Sequence, residues 1–454
     1  MDKSLVLDKV LLPIVNAGYK AYLVGGCVRD YVMGVTPHDY DVVTSATPEQ
    51  IHTLFTNTID INSESFGIVV INIECENIEI ATMREDRECD GRHTEVSFTN
   101  DYIIDAQRRD FTMNALYEDV NGNILDPTGL GLSDIKNKKI RFVGDMKTRC
   151  DEDNLRALRA IRFLSKLGFE IVDIVDFKKL LNDKDFKKSF SVRVSNERIG
   201  QEMIKLISGK DTVTAIKLII ENFNELLPDN FNDMVKLPVF KGFHTTDNLM
   251  EHTLVVFDDV CKNSNDTELR ISALLHDIGK LTTQDETCHA TYHDLVGAKI
   301  AKDFVLDKWK FTKKASEKVY DIIASHMEAH FLYQRGFLKL FKFMRKENFD
   351  LILILLHADC VDRDINIESS FDKVINRADF EDLRKKSLVE IKPIITGDTL
   401  IKLGYKQSPE FKRVLSLALD EQMRNFINGT EINMNRFEKQ IKNFFKNETK
   451  NKKR

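Results

Sequence analysis

The sequence has few of the residues that build disulfide frameworks or small metal-binding knuckles. Its seven cysteines are scattered over 454 residues, and no two of them form a Cys-x-x-Cys pair. This pattern argues against a zinc knuckle and against a disulfide framework. It is typical of a protein that works in a reducing compartment, so we expect a cytoplasmic protein.

Long apolar runs are also missing. The segment Leu351–Leu356 is apolar but far too short to cross a bilayer. Residues Met1–Lys9 lack a basic segment followed by an unbroken apolar core, so they predict an amphipathic helix and not a signal peptide. We therefore expect no membrane partner.

No strong excess of charge of one sign is present. The formal net charge is −6, so any binding of nucleic acid must come from local basic patches. One candidate patch is the C-terminal segment, which is equally well interpreted as a solubilising tail. Its basic residues are Arg436, Lys439, Lys442, Lys446, Lys450, Lys452, Lys453 and Arg454.

The chain divides into an N-terminal part of mixed character and a longer helical part. Its length is enough for about three domains, and 42% hydrophobic residues supply their cores. The predicted strands are Ala21–Val24, Tyr40–Val43, Gly67–Ile73, Ile78–Thr82 and Ala115–Tyr117. From about residue 146, glycine and proline become sparse and apolar residues follow helical spacing. The predicted fold class is α+β, a small α/β domain followed by helices only.

Two glycines and two aspartates follow one another closely near the N-terminus. An apolar strand leads into Gly25 and Gly26, Arg29 follows, and Asp39 and Asp41 stand on the next apolar segment. Side chains two residues apart on a strand share a face, so both carboxylates are expected to hold one magnesium ion. The glycines leave room for a triphosphate, and Arg29 can clamp it. Each feature alone is common, but their combination predicts a nucleotidyl-transfer site.

Two further groups are candidates for the same site. Glu79 lies between Ile78 and Ile80 on a predicted strand. It is a third acidic group at the metal if that strand lies beside the first two, and otherwise an outward-facing glutamate. Arg108 and Arg109 can grip phosphate or ribose oxygens with paired hydrogen bonds, although paired arginines are also common on surfaces.

A helix-like segment further along combines an acid with several arginines. On a helix, Asp153 and Arg156 are i and i+3 neighbours, and Arg159 and Arg162 continue the same line. The plain interpretation is a set of intrahelical salt bridges. The functional one is base selection, because ionised Asp only accepts hydrogen bonds and Arg only donates them. Cytosine and adenine present an amino donor beside a ring-nitrogen acceptor, whereas uracil and guanine invert this pattern. The pair would therefore accept C and A and reject U and G without a template.

Together these motifs resemble the class II tRNA nucleotidyltransferases and their relatives, the bacterial poly(A) polymerases. The resemblance covers roughly residues 20–210, and the motifs that carry it are Gly25–Asp30, Asp39–Asp41, Arg108–Ala115, Glu152–Arg162 and Ser195–Ile199. It implies a polymerase β-like head and a helical neck that add C, C and A to the 3′ end of tRNA from CTP and ATP. It implies Asp39 and Asp41 as Mg²⁺ ligands, with Glu79 as the further catalytic candidate. The implied nucleotide-binding residues are Gly25, Gly26, Arg29, Arg108, Arg109, Asp153, Arg156, Arg159 and Arg162.

One motif departs from the family pattern. The family usually has Asp-Pro-x-Gly-Gly before a helix, whereas residues 126–131 read Asp-Pro-Thr-Gly-Leu-Gly, one residue longer. This motif is thought to act as a hinge, so the departure bears on the movement between C and A addition. Residues 84–97 provide a candidate for the flexible loop that CC-adding enzymes tend to lack, and the basic element expected of poly(A) polymerases is missing. Full CCA addition is therefore favoured, with a poly(A) polymerase or an enzyme that adds only A as alternatives.

A second set of polar residues lies in the helical part. A histidine, a His-Asp pair and a distant aspartate follow in the order that resembles the HD metal-dependent phosphohydrolases. The candidate ligands are His252, His276, Asp277 and Asp359, with His293 and His326 as further candidates for a second metal or for phosphate. Imidazole and carboxylate together suit a transition metal, which can activate water against a phosphoester. One alternative is an HD fold kept only for tRNA contact; another makes phosphohydrolysis of nucleotides or RNA ends the main activity.

The combined prediction has four domains. Residues 1–145 form the catalytic head, and residues 146–240 form the neck and body that select the base and bind RNA. Residues 241–370 form the HD domain, and residues 371–454 form a helical tail that contacts tRNA. The predicted partners are tRNA, ATP and CTP, and the oligomeric state is left open. A non-enzymatic RNA-binding protein is disfavoured because the acidic residues of the head are intact.

Overall fold

The computed structural model describes residues 2–59, 67–89, 94–240, 244–362, 368–432, 438–439, 441–443 and 445. It divides into two compact units. The first comprises Met1–Asp233, Asn265–Ile271 and Ala301–Ser316, and the second comprises Met234–Ser264, Ser272–Ile300 and Glu317–Arg454. The four domain boundaries drawn from the sequence stay a prediction.

A seven-stranded mixed sheet organises the first unit. The strands of the chain are β1 Ala21–Val24, β2 Asp41–Thr44, β3 Thr58–Ile59, β4 Ile68–Ile73, β5 Glu76–Thr82, β6 Arg84–Cys89, β7 Thr94–Phe98, β8 Tyr117–Glu118, β9 Ile124–Leu125, β10 Lys139–Ile140 and β11 Glu170–Ile171. The sheet has the order β3-β4-β5-β2-β1-β8-β9. Strand β2 runs antiparallel to β1 and parallel to β5, so β1, β2 and β5 are neighbours at the centre. Strands β6 and β7 form a separate hairpin from part of the predicted flexible loop.

Helices make up most of the rest of the chain. They are α1 Lys3–Val6, α2 Leu12–Asn16, α3 Gly26–Val32, α4 Pro48–Leu54, α5 Tyr102–Gln107, α6 Gly131–Lys136, α7 Met146–Glu152, α8 Leu155–Leu167, α9 Ile174–Asn182, α10 Lys184–Arg193, α11 Asn196–Ile207, α12 Thr212–Asn222, α13 Leu249–Asn263, α14 Thr267–Leu275, α15 Lys280–Thr283, α16 His293–Asp307, α17 Lys313–His330, α18 Phe337–Met344, α19 Phe349–Val361, α20 Ser370–Ile375, α21 Phe380–Ser387, α22 Gly397–Lys402 and α23 Glu410–Asn428. A π-helical segment, Leu7–Leu11, joins α1 to α2, and short 3₁₀ helices occupy Thr112–Asn114, Asn224–Leu226, Phe231–Lys236 and Leu332–Gln334. Among the described residues, no helix combines the length and apolar character that a membrane crossing requires.

The predicted fold class is confirmed, with local corrections. The predicted strand Ala115–Tyr117 is wrong at its start, because a 3₁₀ turn ends at Asn114 and β8 begins only at Tyr117. The helical remainder is interrupted by β11, whose two residues pair with β10. Strand β2 begins at Asp41, so Asp39 precedes the strand.

Two short sequence signals set the helices that matter for the site. Ser195 caps α11, because its hydroxyl accepts a hydrogen bond from the amide of Arg198, as is usual for serine at a helix start. Helix α8 ends at Gly168, whose φ of 67° is the left-handed conformation that glycine adopts readily. Of the predicted basic C-terminal patch, Lys439 and Lys442 are exposed and the other members lie outside the described residues.

Candidate functional site

The glycine turn and the acidic pair meet at the ends of two neighbouring strands. The last residue of β1, Val24, pairs with Asp41, the first residue of β2. Gly25 follows at once with a φ of +78°, and a Cβ there would lie 3.9 Å from Asp41 Oδ2 and 3.7 Å from Arg109 Nη1. Backbone, carboxylate and guanidinium therefore converge on one point without a side chain in between.

Three carboxylates gather around that point. The parallel register pairs Val42 with Ile80, so Asp41 and Glu79, one residue earlier on β2 and β5, are neighbours. The Asp41 side chain keeps solvent access, yet protein atoms crowd around it. This desolvation, together with the charges of Asp39 and Glu79, raises the pKa of Asp41 to about 6. A divalent cation would relieve that repulsion, so the oxygen donors present fit a hard ion such as Mg²⁺.

The spacing argument for the acidic pair needs correction. Asp39 and Asp41 do not share one strand, because Asp39 lies in the segment before β2. They are nevertheless close enough for the charge of Asp39 to act on Asp41, and both line the same cleft. Proximity here follows from the irregular segment before β2 and not from strand periodicity.

One cleft of about 1210 Å³ in the first unit collects the predicted nucleotide site. Its lining includes Gly25, Gly26, Arg29, Asp39, Asp41, Arg108, Arg109, Asp153, Arg156, Arg159 and Arg162. Glu79 is not part of this lining and adjoins Asp41 from the neighbouring strand β5. The cleft also contains cations that the sequence did not single out for this site, namely Lys166, Arg198, Lys205 and Lys210.

The arginine pair is held by a carboxylate that sequence reasoning missed. Asp105 is fully buried and accepts hydrogen bonds from Arg108 Nε at 2.9 Å and from Arg109 Nη2 at 2.9 Å. The Tyr117 hydroxyl donates to the same carboxylate at 2.7 Å. Burial acts to raise the pKa of Asp105, but the two guanidinium groups outweigh it and lower the pKa to about 2. The spacing of three and four residues before the arginines on α5 was the available signal.

Replacing Asp105 with Asn should weaken nucleotide binding more than chemistry. Asparagine keeps the shape but loses the charge and one acceptor, so both arginines lose their anchor. For the substrates predicted from the sequence, CTP and ATP, we expect KM to rise about 10- to 100-fold, since charge-assisted hydrogen bonds contribute about 1.5–3 kcal/mol. Asp101→Asn is the matched control on the same helix, because Asn also caps a helix. Equal KM values in the two variants would contradict this role.

The base-selecting pair, Asp153 and Arg156, does not lie on one helix. Asp153 is extended, with φ −141° and ψ 102°, and stands between α7 and α8, while Arg156 belongs to α8. The predicted i, i+3 relation on a helix is therefore wrong. Arg156 donates instead to Glu152 Oε2 at 2.6 Å and to the Arg108 carbonyl at 2.6 Å. Both groups still face the cleft.

The other two arginines of α8 are anchored by acids from elsewhere in the first unit. Arg159 donates through Nη2 to Asp110 Oδ2 at 2.6 Å, and Arg162 Nε lies 2.5 Å from Glu202 Oε2. Burial lowers the pKa of Arg162 to about 10, although Glu202 opposes this. Arg29 is likewise buried and donates to Asn114 Oδ1 at 2.6 Å. These contacts fix the positions of the cations that line the cleft.

A separate cluster of histidines and aspartates lies in the second unit. Three of its imidazoles share one arrangement, in which Nδ1 lies at hydrogen-bond distance from a backbone carbonyl three residues earlier. They are His276 with Ala273 at 2.9 Å, His293 with Ala290 at 2.7 Å and His326 with Ile323 at 2.6 Å. With Nδ1 as the donor, each Nε2 is left with a free lone pair, the form in which imidazole binds metals.

The Nε2 atoms face the two predicted aspartates. Asp277 Oδ2 lies 3.3 Å from His276 Nε2, and Asp277 Oδ1 lies 3.3 Å from His293 Nε2 and 3.9 Å from His326 Nε2. His252 Nε2 lies 3.0 Å from Asp359 Oδ1. The structure thus brings together the four predicted ligands and both further candidates.

The buried donor set fits a metal ion. In the described part of the chain, the Nε2 atoms of His276 and His293 are buried and make no well-formed hydrogen bond, although each lies 3.3 Å from an oxygen of Asp277. Burial and the neighbouring His276 lower the pKa of His326 to about 3, which keeps its imidazole neutral. Among the described residues, clusters of three potential ligands with atoms within 4.8 Å of one another include His252–His276–Asp277 and Asp277–His293–His326. Nitrogen and oxygen donors in this combination suit a transition metal.

Sequence reasoning missed two residues that support this cluster. Asp362, three residues after Asp359, lies 3.0 Å from His252 Nδ1 and so orients that ring. His330, one helical turn after His326 on α17, lies with Nε2 2.6 Å from Asp359 Oδ2. Their helical spacing from predicted ligands was the only signal that could have indicated them.

Comparisons with known proteins find matches for both parts of the chain that contain these sites. Residues 21–141 match the family model described as the poly A polymerase head domain, and residues 249–364 match the HD domain. The CCA-adding enzyme of Bacillus pumilus is 40% identical over 205 residues, which are 45% of this chain and 50% of that protein. The enzyme of Staphylococcus epidermidis is 38% identical over 242 residues, 52% and 55% of the two chains. The chain therefore spans about half the length of the curated relatives it matches.

Solved structures extend the likeness to nearly the whole chain. The Bacillus stearothermophilus CCA-adding enzyme in complex with CTP has a TM-score of 0.65 and 25% identity and covers 94% of each chain. The Thermotoga maritima CCA-adding enzyme complexed with tRNA has a TM-score of 0.60 at 16% identity, with 98% of this chain and 96% of that chain covered, and supports the fold alone. The predicted resemblance is confirmed. Residues 21–141 are similar to the poly A polymerase head domain, residues 249–364 are similar to the HD domain, and the chain as a whole is similar to CCA-adding enzymes.

Proposed function

We propose that this protein adds C, C and A to the 3′ end of tRNA, using CTP and ATP with Mg²⁺ and no nucleic-acid template. The single observation that carries the proposal is the common cleft, which brings an acidic centre, a glycine turn and a set of anchored arginines together with Asp153. The names of the relatives, CCA-adding enzymes, support the same reaction. The scattered cysteines favour a cytoplasmic setting.

Different residues of the cleft would bind the metal ion and the triphosphate. Asp39 and Asp41 would hold Mg²⁺ beside the glycine turn, with Glu79 adding negative charge from the neighbouring strand. Gly25 and Gly26 let the triphosphate approach the backbone, and Arg29, Arg108 and Arg109 offset its charge. When bound, magnesium would lower the pKa of the tRNA 3′-hydroxyl and neutralise charge on the α-phosphate.

Base selection would rest on Asp153 and Arg156 in the same cleft. An acceptor beside a donor matches the amino group and ring nitrogen of cytosine and of adenine. Uracil or guanine would leave buried polar groups unpaired, which is a strong basis for discrimination. Arg159 and Arg162 would support the pair by anchoring α8, the helix that carries Arg156, to Asp110 and Glu202. The tRNA would be held by shape and backbone charge along the acceptor arm.

The test uses a tRNA transcript that lacks its 3′-terminal CCA and each labelled nucleotide, supplied singly and in pairs. We expect CTP alone to add two residues, and CTP with ATP to add three and then stop. An unlimited A tail would support a poly(A) polymerase, and addition of A only to a transcript ending in CC would support an A-adding enzyme. No incorporation from either nucleotide would contradict the proposal.

The histidine cluster favours a second activity, metal-dependent phosphohydrolysis. The two oxygens of Asp277 face different imidazoles, His276 on one side and His293 and His326 on the other. Asp277 would therefore hold metal together with imidazoles on both sides, and a bound metal would supply the water activation that hydrolysis of phosphoesters needs. His252 and Asp359 would complete the ligand set. The class of substrate we propose is nucleotide or RNA phosphoesters, including cyclic phosphates.

A further inference from the structure

Helix α11 supplies the anchors for the cationic side of the cleft. Arg198 and Glu202 are four residues apart on α11, so they project from the same face of the helix. Arg198 Nη2 lies 2.7 Å from Asp153 Oδ2, and Glu202 lies 2.5 Å from Arg162 and 3.6 Å from Arg159. One helix face therefore contacts three residues of the predicted nucleotide site.

Asp153 lies outside both neighbouring helices, so helix geometry does not fix its side chain. It stands in extended conformation between α7 and α8, and the backbone amide of Leu155 donates to its Oδ1 at 3.2 Å. That local contact holds only one of the two carboxylate oxygens. The ion pair with Arg198 is the second contact, and it holds Oδ2 as well.

We propose that Arg198 is a positioning residue for base selection, an inference that rests on the proposed nucleotide addition. A carboxylate has about four lone-pair sites, of which the amide of Leu155 and Arg198 use two. The remaining sites face the cleft and accept the amino group of cytosine or adenine. Arg198 holds the carboxylate in one orientation, so that uracil and guanine meet an acceptor where they need a donor.

The ion pair between Arg198 and Asp153 lies at the surface, so Arg198 can be replaced with little effect on folding. The Arg198 side chain is 44% exposed, so its replacement removes little buried area. Arg198→Met keeps most of the aliphatic stem and removes the charge, while Arg198→Lys retains the charge. Lys188→Met, at an exposed position of α10, is a control for loss of one surface charge.

The experiment measures kcat/KM for CTP and for UTP on a tRNA transcript lacking CCA, together with Tm. For Arg198→Met we expect the CTP/UTP ratio to fall about 10- to 100-fold, as for loss of a charge-assisted contact, with Tm within a few degrees of wild type. Arg198→Lys should recover most of the ratio, Asp153→Asn should lower it as Arg198→Met does, and Lys188→Met should leave it unchanged.

The outcomes separate this inference from the reaction itself. A normal ratio in Arg198→Met with a lowered ratio in Asp153→Asn would overturn the role of Arg198 while leaving base selection by Asp153 intact. A normal CTP/UTP ratio in both variants would show that Asp153 does not select the base, and the inference about Arg198 would then fall with it. Absence of any addition by the wild-type protein would instead overturn the proposed function.

Discussion

Replacing Asp41 with Asn is expected to lower the rate of nucleotide addition by about 10³-fold or more, with CTP and with ATP alike. Asp41 is the first residue of β2 and pairs with Val24, the last residue of β1. The negative charges of Asp39 and Glu79 act on its carboxylate. Asparagine keeps the volume and one oxygen but removes the charge that would bind the metal. A metal ion supplies several kcal/mol to the transition state, and each 1.36 kcal/mol is a factor of ten.

The loss should fall on chemistry and not on folding. Removing a repelled carboxylate relieves charge repulsion, so Tm should stay equal or rise in Asp41→Asn. Single-turnover rates at saturating CTP, measured with circular dichroism melting curves, separate the two effects. Asp185→Asn, at an exposed site on α10, is the matched control. Undiminished addition by Asp41→Asn would remove the acidic centre from the mechanism.

Replacing Asp277 with Asn should remove bound metal and phosphohydrolase activity while leaving nucleotide addition intact. Asp277 is buried and lies within 4 Å of four imidazoles, so its loss affects every part of the cluster. Burial acts to raise the pKa of Asp277, but His276, Lys280 and His293 hold it well below the usual range. We expect metal content to fall at least about 10-fold. Loss of a residue that only orients a metal ligand lowers metal affinity by about that factor, and loss of the ligand itself should lower it at least as much.

Two measurements check this expectation. Elemental analysis of the purified protein gives the metal content, and phosphate release from nucleoside cyclic phosphates gives the hydrolytic rate. Asp382→Asn, on the exposed face of α21, should behave as wild type in both. Hydrolysis that survives in Asp277→Asn but is lost in Asp41→Asn would assign it to the other site.

The sequence was sufficient to identify the candidate site residues of the head, but it did not predict how the strands and helices arrange them. The glycine pair and Asp41 were recognisable because both stand at strand ends, where neighbouring strands force them together. Asp39 joins them from the irregular segment before β2, a feature that strand periodicity does not describe. Asp153 and Asn154 are residues that favour caps and turns over helix interiors, and this local preference separates α7 from α8 and breaks the expected helical line.

The supporting acids depend on tertiary structure, which explains why they escaped prediction. Asp105 and Glu202 resemble ordinary helix-surface acids in the sequence, yet both are buried against arginines of the cleft. The histidine cluster could be proposed only from resemblance, since its members are spread over more than one hundred residues between His252 and Asp359. No periodicity relates them. Their convergence is a property of the fold of the second unit.

The most direct test of the central claim is a crystal structure of this protein with CTP and Mg²⁺. In that complex we expect one ion shared by Asp39 and Asp41 and a triphosphate against Gly25 and Gly26. We also expect a cytosine whose amino group donates to Asp153. A nucleotide bound elsewhere, or two carboxylates that face apart and share no ion, would contradict the central claim.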